Sequence, residues 1–404
     1  MKNIAKAGWE VAPLGTVAQI RPNKKEVKST LSDEDEVSFV PMDCLGVDQV
    51  TLAEHQTRPL REVYGGYTYF RNGDVLLAKI TPCFENGKLG IADDLTNGIG
   101  FGSSEFVVLR PSEKLFAGYL YHFLNRRSFR DWAKGLMTGA VGHKRVPKEL
   151  IETLEIPLPP VEEQRRIVAV LDKAFEGLAR ARTNAETNLT NARELFETSL
   201  SAFIDRHKDS WSSTTLGEAY DVRDGTHDSP KYHATGRALI TSKNLGRDGL
   251  HFEKVKYISE EDYVSISRRS GVDKGDVLFA MIGTIGNPIV VDVEPDFAIK
   301  NVALFKMKEG RNGQFLRYLL RSKYVVEKMH AEAKGTTQQF VGLGYLRSFP
   351  VMLPEPIVES TMVDELDRIE AQCRSAEALY EIKIQDLYDL RQSLLQKAFA
   401  GELT

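Results

Sequence analysis

Two histidines in the segment GTHDSPKYH, His227 and His233, are of a type that could hold a metal ion. A zinc site would need further Cys, His or carboxylate ligands converging on them. The three cysteines, Cys44, Cys83 and Cys373, stand far apart with no Cys-x-x-Cys pairing. That pattern gives no metal framework and suits a reducing compartment without disulfides. Ser103 in GFGSSE could be a nucleophile, but the glycine that should follow in a nucleophile elbow is missing. Asp296 after Pro295 could join Glu332 and Lys334 in a nuclease-type carboxylate set, except that the latter pair falls on a predicted helix. At Gly286 the segment GNPIV has a single proline, where base methylation needs Asn-Pro-Pro or Asp-Pro-Pro followed by an aromatic residue; a turn is the simpler reading. There is also no Gly-x-Gly-x-x-Gly and no Walker lysine loop. None of these segments completes a recognisable catalytic or metal-binding motif.

Composition limits the remaining classes. A chain of 404 residues exceeds what one core normally supports and predicts two to four domains. The amino terminus lacks an apolar signal-type segment, and no run of about eighteen apolar residues occurs. A soluble, cytoplasmic protein without membrane spans is expected. The net charge of −4 and pI near 6.1 count against a simple basic nucleic-acid binder.

The elements that must position any site come in two copies. Trp9 and Gly15 recur as Trp211 and Gly217, and Asp74 of NGDVLLAKI recurs as Asp276 of KGDVLFAMI, all 202 residues on. Later, Pro159 matches Pro354 and Leu171 matches Leu366, 195 residues on, so the second copy has lost seven residues between Leu76 and Pro159. The Gly- and Asn-rich loop TPCFENGKLGIADDLTNGIGFG is the expected place for that loss. Each copy reads as a β-rich globular part followed by a long helix. GDVLLAKI, SEFVVLRP, GDVLFAMIG and NPIVVDV have the composition of strands. KLFAGYLYHFLNRRSFRDWAKG and GQFLRYLLRSKYVVEKMHAEAKG have helical spacing and each ends at glycine.

The long helices carry a heptad seam. On the first, Val168, Phe175, Arg182, Leu189, Phe196 and Phe203 form one row, and Leu171, Leu178, Ala185, Ala192 and Ser199 the other. On the second, Leu366, Ile369, Cys373, Ala376, Tyr380, Ile384, Leu387, Leu394 and Ala398 give a similar stripe. Pro157, Pro159 and Pro160 fix the abrupt start of the first, and Glu162 and Glu163 complement its dipole. A helix of about 36 residues spans roughly 54 Å. The expected architecture is α+β: two β-rich α/β domains separated by an antiparallel two-helix coiled coil, as a pseudo-two-fold internal repeat. Two inverted modules held apart suit duplex DNA, whose half-sites recur every ~34–36 Å.

The chain resembles the DNA specificity subunit of type I restriction–modification systems. The resemblance is carried by IPLPPVEEQRRIVAVLD (156–172), GDVLLAKITPCFENGK (73–88), GDVLFAMIGTIGNP (275–288), DGTHDSPKY (224–232) and SLLQKAFAGEL (393–403). It implies target recognition domain 1 at residues 1–158, a spacer helix at 159–207, target recognition domain 2 at 208–354 and a second spacer helix at 355–404. It further implies a non-catalytic subunit that reads a bipartite, asymmetric duplex target, one domain to each half-site. The helices would recruit two adenine methyltransferase subunits and the ATP-dependent restriction subunits. S-adenosylmethionine, ATP and magnesium would act in those partners and not in this chain. The second copy departs from the pattern: LPEPIVESTMVDELD lacks the second consecutive proline and the Glu-Gln pair, which puts an equivalent partner contact there in doubt.

Arg and Lys favour guanine edges and phosphates, and Asn and Gln favour adenine. On that chemistry the expected contacts in the first domain are Tyr64, Tyr67, Lys79, Asn86, Lys88, Ser103, His143, Lys144 and Arg145. In the second they are Thr226, His227, Lys231, Lys243, Asn244, Arg268, Arg269, Thr284, Thr336, Gln338 and Gln339. Many lie in Gly-flanked loops where the copies diverge, and TGAVGHKR and GTTQQF sit at matching places. Two other readings stay open: a self-contained methyltransferase or nuclease with drifted motifs, and a coiled-coil scaffold without nucleic acid.

Overall fold

The computed structural model describes residues 6–246, 248–282, 285–333 and 340–403. The chain divides into two compact units, one made of residues 1–185 with 382–404, the other of 186–381. No described helix is long and apolar enough to cross a membrane, and the three cysteines are free.

In the first unit, Ala18–Ile20, Phe106–Pro111, Val75–Ala78 and Leu89–Ile91 form a four-stranded antiparallel sheet in that order. A second sheet orders Gln56–Pro59, Glu36–Val40, Ile99–Gly102 and Thr68–Arg71, with one parallel pair in which Ser38 faces Gly100. The short ribbon of Glu10–Pro13 with Glu155–Leu158 joins the two ends of the globular part. The second unit repeats this plan. Its first sheet is Asp221–Asp224, Val302–Lys306, Val277–Ala280 and Gly286–Val290, and its second keeps three strands, Lys256–Ile258, Arg237–Ile240 and Phe297–Ile299, including the parallel pair. The fold is an α+β internal repeat. The two copies diverge where the first has the strand Thr68–Arg71 and the second has the eleven-residue helix Glu260–Ser270.

Sheet register locates most of the deletion. Ala78 pairs with Phe106, 28 residues away, whereas its counterpart Ala280 pairs with Val302, 22 residues away. Six of the seven missing residues therefore fall in the expected loop region, and the seventh lies further along.

The repeated residues are scaffold. Gly73 and Gly275 have φ of +86° and +91°, a left-handed turn that a side chain would strain. The aspartate that follows folds back into the turn: Asp74 accepts from the Arg71 amide at 2.9 Å, and Asp276 from the Asp273 amide at 2.8 Å. Each also anchors a cation of the neighbouring strand. Arg110 donates to both oxygens of Asp74 at 2.8 Å, and Lys306 donates to Asp276 at 3.0 Å. Gly15 and Gly217 are needed for close approach. A Cβ there would lie 3.2 Å from the Glu152 carbonyl oxygen and 2.8 Å from that of Arg347.

Each expected helix of the globular parts breaks in two. Ala117–Leu124 and Arg127–Lys134 are separated because buried Arg126 adopts an extended backbone and lays its guanidinium over Phe123, 3.9 Å from the ring centre. Gly313–Arg321 and Lys323–Glu332 are separated at Ser322, which caps the second piece by accepting from the Val325 amide.

The first long helix, Val161–His207, has 47 residues, about 70 Å at 1.5 Å per residue and longer than its heptad seam alone predicts. The second is Pro356–Ala400. Within the first unit, Val168, Leu171 and Phe175 are buried against Leu395, Ala398 and Phe399, with Leu178 and Leu394 packed at the edge. The Arg391 guanidinium lies 3.8 Å above the Phe175 ring. Within the second unit, Phe196, Leu200 and Phe203 pack with Leu366 and Cys373, and Arg193 pairs with Glu377 and Glu381. In each unit the helix segments run antiparallel. Leu189, Tyr380 and Leu387 are half-buried, and Arg182 is exposed. The expected seam position Ser199 gives way to fully buried Leu200, since a straight helix of 3.6 residues per turn drifts off a strict heptad. Leu395, absent from the expected stripe, is likewise fully buried.

The helix starts explain the Glu-Gln motif from within the chain. Gln164 is fully buried: its side-chain oxygen accepts from the Phe116 amide, and its nitrogen donates to the carbonyls of Lys114 and Pro159, all at 2.8 Å. A neutral amide matches that mixed set of backbone groups. Its counterpart Glu359, also fully buried, accepts from the Asn312 amide at 2.7 Å and from Arg311, so the charged side chain is accommodated by a cation. The departure in the second copy is thus a compensated substitution at an internal joint.

Candidate nucleic-acid interface

In the first unit the loop 138–145 is clamped to the sheet. Thr138 and Arg145 exchange backbone hydrogen bonds at 3.0 and 2.8 Å. Thr81 donates to the Lys144 carbonyl and Val146 to that of Lys79, both at 2.9 Å. This brings His143, Lys144 and Arg145, all exposed, beside half-buried Lys79 and Ser103. Glu105 organises the group. Its carboxylate accepts from Arg145 Nε at 3.0 Å and from the terminal nitrogen at 2.8 Å, and it stands 3.8 Å from Lys79 Nζ, which donates to the Ser104 carbonyl at 2.7 Å. The Arg145 hydrogen bonds hold the Glu105 carboxyl below its ordinary range, against the opposing effect of burial. Burial, then the field of Arg21, lowers the ammonium pKa of Lys79. One carboxylate facing three cations leaves net positive charge, the arrangement that attracts phosphate.

A second patch of this unit surrounds Tyr64, whose ring carries Lys24 Nζ at 4.8 Å and Lys28 Nζ at 4.6 Å from its centre. Tyr67 is exposed and packs edge-on against Phe39 at 4.8 Å. Asn86 is exposed, while Lys88 is held by the Met42 carbonyl at 3.1 Å and by Asp43 at 3.5 Å.

In the second unit, Asp224 plays the organising part. It accepts from His227 at 2.9 Å and from Arg269 at 2.6 Å; Arg269 also donates to the Gly225 carbonyl, and the other His227 nitrogen meets Asn301 at 2.8 Å. His227 and Thr226 thus sit with Arg269 on one surface, whereas the His233 amide is paired with Tyr257. Lys231, Lys243 and Arg268 are exposed. Asn244 is a correction: it is 6% exposed, with its oxygen accepting from the Thr241 amide and its nitrogen donating to the His251 carbonyl. A buried amide with both ends occupied has nothing to offer a base edge. Thr284, Thr336, Gln338 and Gln339 lie outside the described residues, as does Lys334 of the nuclease-type set. Asp296 of that set is paired with Arg237. Among the described residues no three His, Cys, Asp or Glu side chains gather as metal ligands.

Sequence reasoning missed Glu105 and Asp224, the acids that arrange the cations. Neither stands out in sequence, because Arg145 lies 40 residues from Glu105 and Arg269 45 residues from Asp224, and only His227 is a near neighbour of its acid.

Residues 6–187 match the family described as type I restriction modification DNA specificity domain. Among curated proteins, the EcoEI type I restriction enzyme specificity subunit of Escherichia coli is 38% identical over 199 residues, 49% of this chain and 33% of that protein. The MjaVIII specificity subunit of Methanocaldococcus jannaschii is 26% identical over 291 residues, 67% of this chain and 68% of that protein. The chain spans about a third of the length of the EcoEI and EcoAI subunits it matches. Two solved structures share the fold. One, from work titled as the structural basis of complex assembly and conformational transition of the type I R-M system, aligns with TM-score 0.80 at 20% identity over 100% of both chains. The HsdS subunit from Thermoanaerobacter tengcongensis aligns with TM-score 0.61 at 19% identity, covering 99% of this chain and 98% of that one.

Proposed function

We propose that this chain, whose residues 6–187 match the family described as type I restriction modification DNA specificity domain, is a DNA-reading subunit of a type I restriction–modification complex, itself without catalytic residues. Each globular part would take one half of a bipartite, asymmetric duplex target. The two long helices would set the spacing of the halves and recruit two methyltransferase subunits and the restriction subunits. S-adenosylmethionine, ATP and magnesium would be bound by those partners, and the complex would act in the cytoplasm.

The observation that supports this reading best is the unequal repeat. The two units share sheet order, the Gly-Asp turn and the helix joints, yet differ in their surface groups: Glu105 with Lys79 and Arg145 in one, and Asp224 with His227 and Arg269 in the other. A duplicated frame with different surface chemistry is what reading two unlike half-sites requires.

The acidic overall charge predicts weak, salt-sensitive DNA binding by the isolated chain and much tighter binding once methyltransferase subunits add phosphate contacts. Gel shifts with each subunit alone and together test this; tight sequence-specific binding by the isolated chain counts against it. A further consequence concerns the helix. Inserting four residues between Ala185 and Ala192 is expected to lengthen the non-specific spacer in the methylated target while both half-sites stay the same. Methylation recovered at the original spacing would contradict that role.

A further inference from the structure

At the tip of the clamped loop in the first unit stands an apolar side chain that no described residue covers. Val141 is 94% exposed, the most exposed of the large hydrophobic residues in the described part of the chain. Exposed valines are ordinary on a surface. This one differs in its setting, since its neighbours His143, Lys144 and Arg145 are cationic or polar and the returning segment at its base is hydrogen-bonded to Lys79 and Thr81. Positive φ at Gly139 and Gly142, +125° and +82°, folds the tip tightly and leaves Val141 foremost.

We propose that Val141 reads a base, its methyl groups meeting the C5-methyl of a thymine in the major groove. The inference rests on the DNA reading above and adds a specificity-determining residue to it. The loop is narrow, closed at its base by a single antiparallel bridge between Thr138 and Arg145, and the major groove, about 12 Å wide, has room for such a projection where the minor groove, about 6 Å wide, does not. Within that groove the base edges offer donors and acceptors, and the thymine methyl is the apolar feature among them. Val141 has no polar group, so a methyl is the partner it can select. Lys144, beside it, supplies a cation for the flanking phosphate. In the second unit Phe340, the counterpart of Arg145, bridges Ile282 as Arg145 bridges Ile80 and is 43% exposed.

The test is selection of a randomised duplex library by the chain in complex with its methyltransferase subunits, comparing wild type with Val141→Ala. Wild type should enrich a bipartite target. The variant should enrich the same target with the thymine preference reduced at one position of one half alone. In a synthetic duplex, deoxyuridine in place of that thymine should weaken wild-type binding about threefold to tenfold, the effect of one lost methyl contact, and leave the variant unaffected. The proposal is overturned if both proteins show the same preference at every position, if deoxyuridine weakens both alike, or if Val141→Ala instead loses assembly with the methyltransferase subunits. If wild type enriches no sequence at all, the DNA reading itself fails and the proposal goes with it.

Discussion

Replacing Glu370 with alanine is expected to destabilise the second unit by about 3–5 kcal/mol, the cost of leaving a buried cation without its partner. Glu370 sits on the second long helix at 9% exposure. It accepts from both terminal nitrogens of Arg317 at 2.9 Å, from Arg321 at 2.6 Å and from the Tyr318 hydroxyl at 2.9 Å. Arg317 is itself buried, so the carboxylate is what joins the helix Gly313–Arg321 to the second long helix. Arg374 adds a weaker contact at 3.3 Å. Denaturant unfolding followed by Trp211, which packs in the core of this unit at 5.7 Å from Phe315, reads the loss. A variant as stable as wild type would show that the clamp holds nothing.

The same joint fixes a pH dependence. Burial pushes the Glu370 carboxyl up, but the hydrogen bonds and charges of Arg317 and Arg321 outweigh burial and hold it well below the usual 4.5. A depressed folded pKa means that the unfolded chain binds the proton more readily. The stabilisation is therefore complete above about 4.5, the ordinary carboxyl value, and is lost progressively as pH falls below it. Glu370→Gln should flatten that acid limb of the unfolding profile.

The second large effect is at the repeated Gly-Asp turn. Asp74→Ala should cost the first unit about 3–5 kcal/mol, because Asp74 is 1% exposed and is the bidentate acceptor for Arg110, whose side chain is 10% exposed. Asp276→Ala should cost the second unit less, about 1.5–3 kcal/mol, since Lys306 keeps Asp273 at 2.6 Å as an alternative partner. Thermal unfolding of the two variants separates these outcomes. Equal losses would show that Glu26, the other carboxylate on Arg110 at 2.5 Å, compensates in the first unit as Asp273 does in the second.

These sites show how far residues can be interpreted from order alone. The duplication was legible because Trp9, Gly15 and Asp74 recur in fixed register, and the strands because their apolar runs end at Gly and Asp. Of the heptad positions, Val168, Leu171, Phe175, Phe196, Leu366 and Cys373 are buried, while Leu189, Tyr380 and Leu387 are half-buried. The breaks at Arg126 and Ser322 were not legible, because helical periodicity continues through both; what interrupts the backbone is a side chain packing onto Phe123 in one case and a hydroxyl cap in the other. Asn244 looked like a base-reading amide for the same reason, as nothing in its neighbourhood along the chain marks it as buried.

The sequence by itself determined the repeat, the α+β class, the long helices and the absence of a recognisable catalytic motif, all properties of residue type and spacing. Tertiary structure alone decided that Gln164 and Glu359 are internal joints, that Glu105 meets Arg145 and Asp224 meets Arg269, and that Val141 stands exposed. Those outcomes depend on which side chains the sheets bring within about 3–4 Å of one another. Hydrogen bonds and ion pairs act over such distances in space, with no regard to separation along the chain.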